Sequence, residues 1–287
     1  MLPPPIIFSK QKERTRLQIK ALKELAHSHD VLVLTETFQS RYKKRLLKKL
    51  KDLYPYHFVQ KRNGGIFQLK FMSSGITILS KYPLTFLGEV YFNECAIADC
   101  FASKGALLVE LNLETGQRVQ ILATHMQAGR KEKMVRVRTT QVEQIKNLLD
   151  DFKVEGVAQI VAGDLNIDSR KEGEFDQMIE TLGLLPLADS MKMMNTLAEK
   201  IDCFGKAYSG AQANLDHILL RKNSSDASLS EEAVVYIRDL FSNKEECDLS
   251  DHHAVRSILS LNARSPSSQK KKTYQSPLML RDLSHPL

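Results

Sequence analysis

The chain has 287 residues, 43% of them hydrophobic and 26% charged, a profile that excludes a disordered or collagen-like chain and supplies one sizeable core. A net charge of +7 and a pI near 9.1 suit an anionic partner: nucleic acid, an anionic membrane surface or a phosphorylated substrate. No apolar run is long enough to cross a bilayer, and the four cysteines contain no CxxC pair, which argues against a structural zinc site.

Residues 1–7 carry three prolines and no apolar segment of the kind a secretory signal peptide needs. The expected location is therefore the cytoplasm, or outside the cell by a route without such a peptide. Residues 14–27 place Leu17, Ala21, Leu22 and Leu25 at helical spacing. The buried strand expected at 31–34 ends in TET at 35–37, leaving Glu36 at a strand's C-terminal end. Residues 41–53 read as a second helix, with Leu46, Leu47, Leu50 and Leu53 on one side and Arg41, Lys43, Lys44, Arg45, Lys48, Lys49 and Lys51 on the other. That charged side is either a solvated face or a patch for phosphates or anionic lipid.

A turn at 63–65 leads into an alternating segment at 66–72, and residues 74–80 form a clear strand closed by Pro83. Cys95 and Cys100 are expected as buried thiols, with a bridge as the alternative in an oxidising compartment. Strands at 104–113 and 118–124 are joined by a hairpin turn at 113–117, and the second runs into His125. A helix at 135–152 precedes the stretch on which the reading centres, residues 160–166, IVAGDLN.

Strand residues alternate faces, so Asp164 and Asn166 point the same way at the end of this run. A carboxylate and an amide oxygen side by side suit a hard cation and a phosphate; a turn with Asp and Asn is the plainer alternative. A helix is expected at 174–182, and strands at 215–220 (carrying Asp216), 233–240 and within 251–261, the last entered through Ser250, Asp251, His252 and His253. Residues 191–210 show no readable pattern. From 262 the composition turns to Ser, Pro and Lys, so the expected organisation is one domain over 1–261 and a disordered basic tail over 262–287.

Several separated strands thus end or begin in acid, amide or imidazole groups: Glu36, His125, Asp164 with Asn166, Asp216, and Asp251 with His252. Such groups gather at one rim of layered α/β proteins. Their chemistry is coherent: oxygen ligands for Mg²⁺, a histidine that takes a proton from water, and a carboxylate that orients it.

The order TET at 35–37, SGITILSKYPL at 74–84, SKG at 103–105, ATHMQAG at 123–129, VRTTQ at 137–141, AGDLNID at 162–168, LDHIL at 215–219 and SDHHAV at 250–255 resembles the endonuclease/exonuclease/phosphatase superfamily. Within it the chain is most similar to the neutral, bacterial-type sphingomyelinases. The resemblance implies an α+β, DNase I-like fold, a two-layer β-sandwich flanked by helices. It also implies Mg²⁺ dependence, with Mn²⁺ or Co²⁺ as substitutes, and a monomer that cleaves sphingomyelin at a membrane surface.

Carried over by position, Glu36 is a metal ligand and Asp251 lies near the metal. Asp164 and Asn166 hold the attacking water and the phosphate, His252 is the general base oriented by Asp216, and His125 contacts a phosphate oxygen. Gln127 and Lys104 rank lower, and Arg138 and Gln141 brace the fold. The family opens on a strand bearing an Asn, and residues 1–8 contain none, so the expected sandwich lacks that first strand. The sequence has no Trp, so a Trp-bearing membrane loop has no counterpart here; residues 67–71 either replace it or pack in the core. The alternatives are a nuclease or phosphoinositide phosphatase of the same fold, and a catalytically weakened membrane- or protein-binding module.

Overall fold

A computed structural model describes residues 5–62, 72–197, 212–222, 227–230, 233–235 and 248–262, with side chains from Glu13 onward. The expected segment at 66–71, most of the unread stretch 191–210, the later part of the strand at 233–240 and the tail lie outside the described residues. Among those described, the order is α1 (Pro5–Leu25), β1 (Val31–Leu34), α2 (Ser40–Leu50), β2 (Tyr56–Val59), β3 (Thr77–Ser80), β4 (Leu84–Tyr91), a 3₁₀ turn (Ile97–Phe101), β5 (Gly105–Asn112), β6 (Arg118–His125), α3 (Glu132–Asp151), β7 (Ala158–Asp164), α4 (Glu174–Leu182), α5 (Asp189–Lys192), β8 (Asp216–Leu220), β9 (Ala227–Leu229), β10 (Ala233–Val235), β11 (Ala254–Arg256) and β12 (Leu259–Leu261).

The strands form two facing layers. One is a three-stranded antiparallel sheet in the order β1-β3-β2; the other is five-stranded, β4-β5-β6-β7-β8. Only β6 and β7 run parallel in the larger sheet, and α3 is the crossover that such a pair requires. The short strands β10 and β11 pair, as do β9 and β12. The architecture is the α+β sandwich flanked by helices that the sequence implied.

Period-two alternation explains the layering. On β6, Val119, Ile121 and Ala123 face the core between the sheets, and on β7 Ile160 and Ala162 do the same, meeting Ile76 and Ile78 from the opposite layer. The intervening Leu122 and Val161 turn outward onto a second core with Val142, Ile145 and Leu149 of α3 and Phe175 of α4. Both faces of these strands are therefore buried, which is why they read as near-continuous apolar runs. On the far side, α1 and α2 bring Ile19, Leu22, Leu46 and Leu50 onto Leu79 of β3.

Three strands escaped the sequence reading: β2, β4 and the three-residue β9. β4 is an edge strand whose middle is half-exposed and whose register shifts between Phe86 and Gly88, so it lacks clean alternation. β2 exposes its first two residues. The final segment, read as one strand, is two short ones, β11 and β12.

Arg138, 2% exposed, joins α3 to α4 and to the end of β6. Its Nε and Nη2 donate to the two Glu174 carboxylate oxygens at 2.6 and 2.8 Å, and Nη1 donates to the carbonyls of Gln127 and Gly129. Gln141 accepts the Gln127 N–H at 2.9 Å. The bracing role expected of both residues follows from these contacts. Removing one partner of such a buried pair strands the other, so Arg138→Met is expected to lower the free energy of unfolding by about 3–5 kcal/mol in chemical denaturation.

Candidate active site

Strand register builds the centre. His125 on β6 pairs with Asp164 on β7, and Asp164 pairs with Asp216 on β8, so three chemically active side chains occupy one row across adjacent strands. The approach of β6 and β7 requires Gly163: its φ is 138°, and a Cβ there would lie 2.1 Å from the Thr124 carbonyl oxygen. That fixes the GD pair of the motif by backbone geometry.

Asp164 is buried and central. Its Oδ1 accepts the Asn166 N–H at 2.9 Å, and its Oδ2 lies 3.5 Å from His125 Nε2 and 3.9 Å from His252 Nδ1. His252 Nδ1 donates to Asp216 Oδ2 at 2.8 Å. Asp164, Asp216 and His252 present ligand atoms within 4.8 Å of one another, a grouping able to hold a metal ion. Glu36, Asp164, Asp216, Asp251 and His252 all line one cavity of about 1000 Å³. The structure thus brings together Glu36, Asp164, Asp216, Asp251 and His252, with His125 against Asp164 and Asn166 donating through Nδ2 to the Met126 carbonyl at 3.1 Å.

Two of these residues hold left-handed backbone, Glu36 at φ 56° and Asn166 at φ 53°. Non-glycine residues adopt it at a cost of about 1–3 kcal/mol, and such strain collects at functional sites. Thr37 anchors the Glu36 loop, its Oγ1 donating to the Gly75 carbonyl at 2.7 Å.

The electrostatics follow from crowding. Burial, then the charge of Asp216, raises the Asp164 carboxyl to about 7. Loss of solvation and the Asp251 charge raise Glu36. Burial would depress His252, but its hydrogen bond to Asp216 and the charges of Asp216, Asp164 and Asp251 win, lifting it to about 10. Excess negative charge among oxygen donors is the condition that a hard divalent cation relieves.

Three residues were undervalued or missed by sequence reasoning. Lys104, 6% exposed, commits its ammonium to Asp99 Oδ2 at 2.9 Å, the Met126 carbonyl at 2.7 Å and His125 Nε2 at 3.0 Å. An ammonium only donates, so His125 Nε2 is the acceptor and the ring's proton sits on Nδ1. Burial and the Lys104 charge hold His125 neutral, well below its ordinary range. Asp99 also accepts the Ala128 N–H at 2.7 Å. It lies between Cys95 and Cys100, which form a disulfide, correcting the expectation of buried thiols; an acid inside a short Cys-bounded loop was the available signal. Thr196, fully buried, accepts at Oγ1 from the Leu215 N–H at 3.0 Å, and its carbonyl accepts from the His253 N–H at 2.7 Å. It ties the Asp216 strand to the His252 loop from a stretch with no legible pattern.

The architecture and its polar row define a two-layer α+β protein with a carboxylate–imidazole centre at the ends of its strands. The chain belongs to the Endonuclease/Exonuclease/phosphatase family, whose pattern matches residues 7–252. It is 28% identical over 171 residues to Sphingomyelinase C 2 of Leptospira interrogans serogroup Icterohaemorrhagiae serovar Lai (strain 56601), a match covering 55% of this chain and 27% of that protein. The chain therefore spans about a quarter of the length of that relative. The crystal structure of SmcL superposes with a TM-score of 0.75 at 20% identity, over 91% of this chain and 96% of the other. A Staphylococcus aureus beta toxin variant with bound magnesium ions superposes at 0.70 and 19% identity, over 88% of this chain and 92% of the other.

Proposed function

We propose that the chain is a Mg²⁺-dependent phosphodiester hydrolase of phospholipase C type, cutting sphingomyelin into ceramide and phosphocholine. The observation that carries the reading is the His252–Asp216 pair at 2.8 Å, set on the row that also holds Asp164. The names and fold of the relatives support the substrate class. In this reading neutral His252 takes the proton of the attacking water at the ring nitrogen not bound to Asp216, and Asp216 fixes that tautomer. Glu36 and Asp251 hold the cation with the Asp164 carboxylate contributing negative charge beside it, and Asp164 and Asn166 position the water and the phosphate. Lys104, its ammonium held by Asp99, the Met126 carbonyl and His125, places positive charge behind the row that favours the anionic phosphate. When bound, Mg²⁺ neutralises charge on a phosphate oxygen.

A second reading, a nuclease or phosphoinositide phosphatase, is favoured by the net charge of +7. Incubation with labelled sphingomyelin, duplex DNA and a phosphoinositide, with Mg²⁺ or with EDTA, separates them. Phosphocholine release that stops with EDTA supports the first reading. DNA nicking or phosphate release without lipid cleavage replaces it with the second, and silence on all three rejects both.

The acid cluster also sets a pH signature. Because the carboxylates raise His252 from 6.5 to about 10, the metal-free protein is stabilised by this pair below pH 6.5, and that stabilisation is lost as pH rises toward 10. A cation among those carboxylates offsets their field. The imidazole NMR titration of His252 is expected to lie far above the ordinary range in EDTA and to fall when Mg²⁺ is added. An ordinary midpoint in EDTA contradicts the arrangement.

A further inference from the structure

The site described above leaves one charged surface without a role. Between Arg41 and Lys51 lie seven basic residues and no acidic one. Leu46 and Leu50 bury the inner face of α2, and Arg41, Lys44, Arg45, Lys48 and Lys49 are exposed. The helix begins four residues after Glu36, so its first turns stand beside the site. Lys43 Nζ donates to Ser73 Oγ at 3.2 Å, and Ser73 Oγ donates to the Phe38 carbonyl at 3.4 Å.

The neighbouring chain is apolar where it meets water. Met72 donates its N–H to the Phe101 carbonyl at 3.0 Å, which joins the segment that carries Ser73 to the 3₁₀ turn. Met72 is 39% exposed, Phe101 47% and Ile97 68%. The same turn sends Asp99 inward to Lys104 and holds Ile97 at a left-handed φ of 54°. Cations next to outward-facing aliphatic and aromatic side chains suit a lipid surface better than a nucleic-acid backbone, which offers charge but no hydrocarbon.

We propose that this face docks on an anionic lipid surface. Arg41, Lys44 and Arg45 of the first turns of α2 meet the headgroup charge, and Met72, Ile97 and Phe101 enter the boundary of the acyl chains. The inference rests on the reading of a membrane lipid as substrate and extends it: sphingomyelin is zwitterionic, so the anionic lipid is a second, non-substrate ligand that holds the mouth of the site to the bilayer.

The test is co-sedimentation of the full chain, in EDTA, with phosphatidylcholine vesicles with or without phosphatidylserine and free of sphingomyelin. Binding is expected to require phosphatidylserine and to weaken as salt rises. The triple variant Arg41→Glu, Lys44→Glu, Arg45→Glu is expected to lose on the order of 100-fold in partitioning, from about fivefold per cation. Lys48→Glu with Lys49→Glu, further along α2, should lose less. Ile97→Ser with Phe101→Ser should remove the part of binding that survives high salt. Equal binding to both vesicle types, unchanged binding by the triple variant, or a preference for duplex DNA in competition overturns the proposal. Turnover of sphingomyelin in neutral detergent micelles separates the two claims. Active micelle turnover without any preference for phosphatidylserine sinks the docking face alone; phosphatidylserine-dependent binding with inert micelles sinks the substrate reading and leaves the docking face standing.

Discussion

Replacing His252 with alanine is expected to lower turnover by about 10³-fold while leaving, in saturating Mg²⁺, the circular dichroism spectrum and the unfolding midpoint close to those of the parent. The side chain is about 29% exposed and makes its close contact with Asp216 at 2.8 Å, not with the core, so its removal takes away a proton acceptor and little packing. The backbone it sits on is held independently, by the His252–Leu197 bridge and the His253 N–H to Thr196 carbonyl bond. Asp216→Asn should show a related but smaller defect, because the amide leaves His252 in place and weakens control of its tautomer. An alanine variant with parental turnover removes His252 from the chemistry.

Asp164→Asn is expected to reduce turnover by at least about 100-fold and to weaken the Mg²⁺ dependence, since the central carboxylate loses its charge while keeping its shape. Its effect on stability runs the other way. Burial and Asp216 raise the Asp164 pKa from 3.8 to about 7, so its contribution to stability is complete below pH 3.8 and is lost as pH rises through 7. Asparagine carries no such penalty and still accepts the Asn166 N–H. The metal-free variant is therefore expected to equal or exceed the parent in thermal stability above pH 7, and the gain should vanish in acid. A variant that is both inactive and unfolded would mean that Asp164 serves the fold rather than the site.

The sequence was most informative where one rule acts alone. The run ending at Asp164 is apolar on both faces because it is buried on both faces, and Gly163 is required by the Thr124 carbonyl. Placing Glu36, His125, Asp164, Asp216 and His252 at strand ends was enough to anticipate that they share a rim. Their order across β6, β7 and β8 was not legible, because register depends on pairing between strands far apart in the chain. Asp99, Lys104 and Thr196 were undervalued or missed for the same reason: each acts through a partner brought near only by the fold. β4 was missed because a half-exposed, bulged edge strand carries little alternation, and the Cys95–Cys100 bridge because residue spacing does not separate thiol from disulfide and the tendency of cysteine to be buried favoured the thiol.

The central claim is that carboxylates from opposite layers of the sandwich serve one divalent ion. Calorimetric titration with Mg²⁺ of the parent chain, Glu36→Gln and Asp164→Asn tests it most directly. The account predicts saturable binding in the parent and a marked loss in both variants, although Glu36 follows β1 of the small sheet and Asp164 ends β7 of the large one. The same isotherm in all three proteins, or a loss confined to one variant, would contradict it.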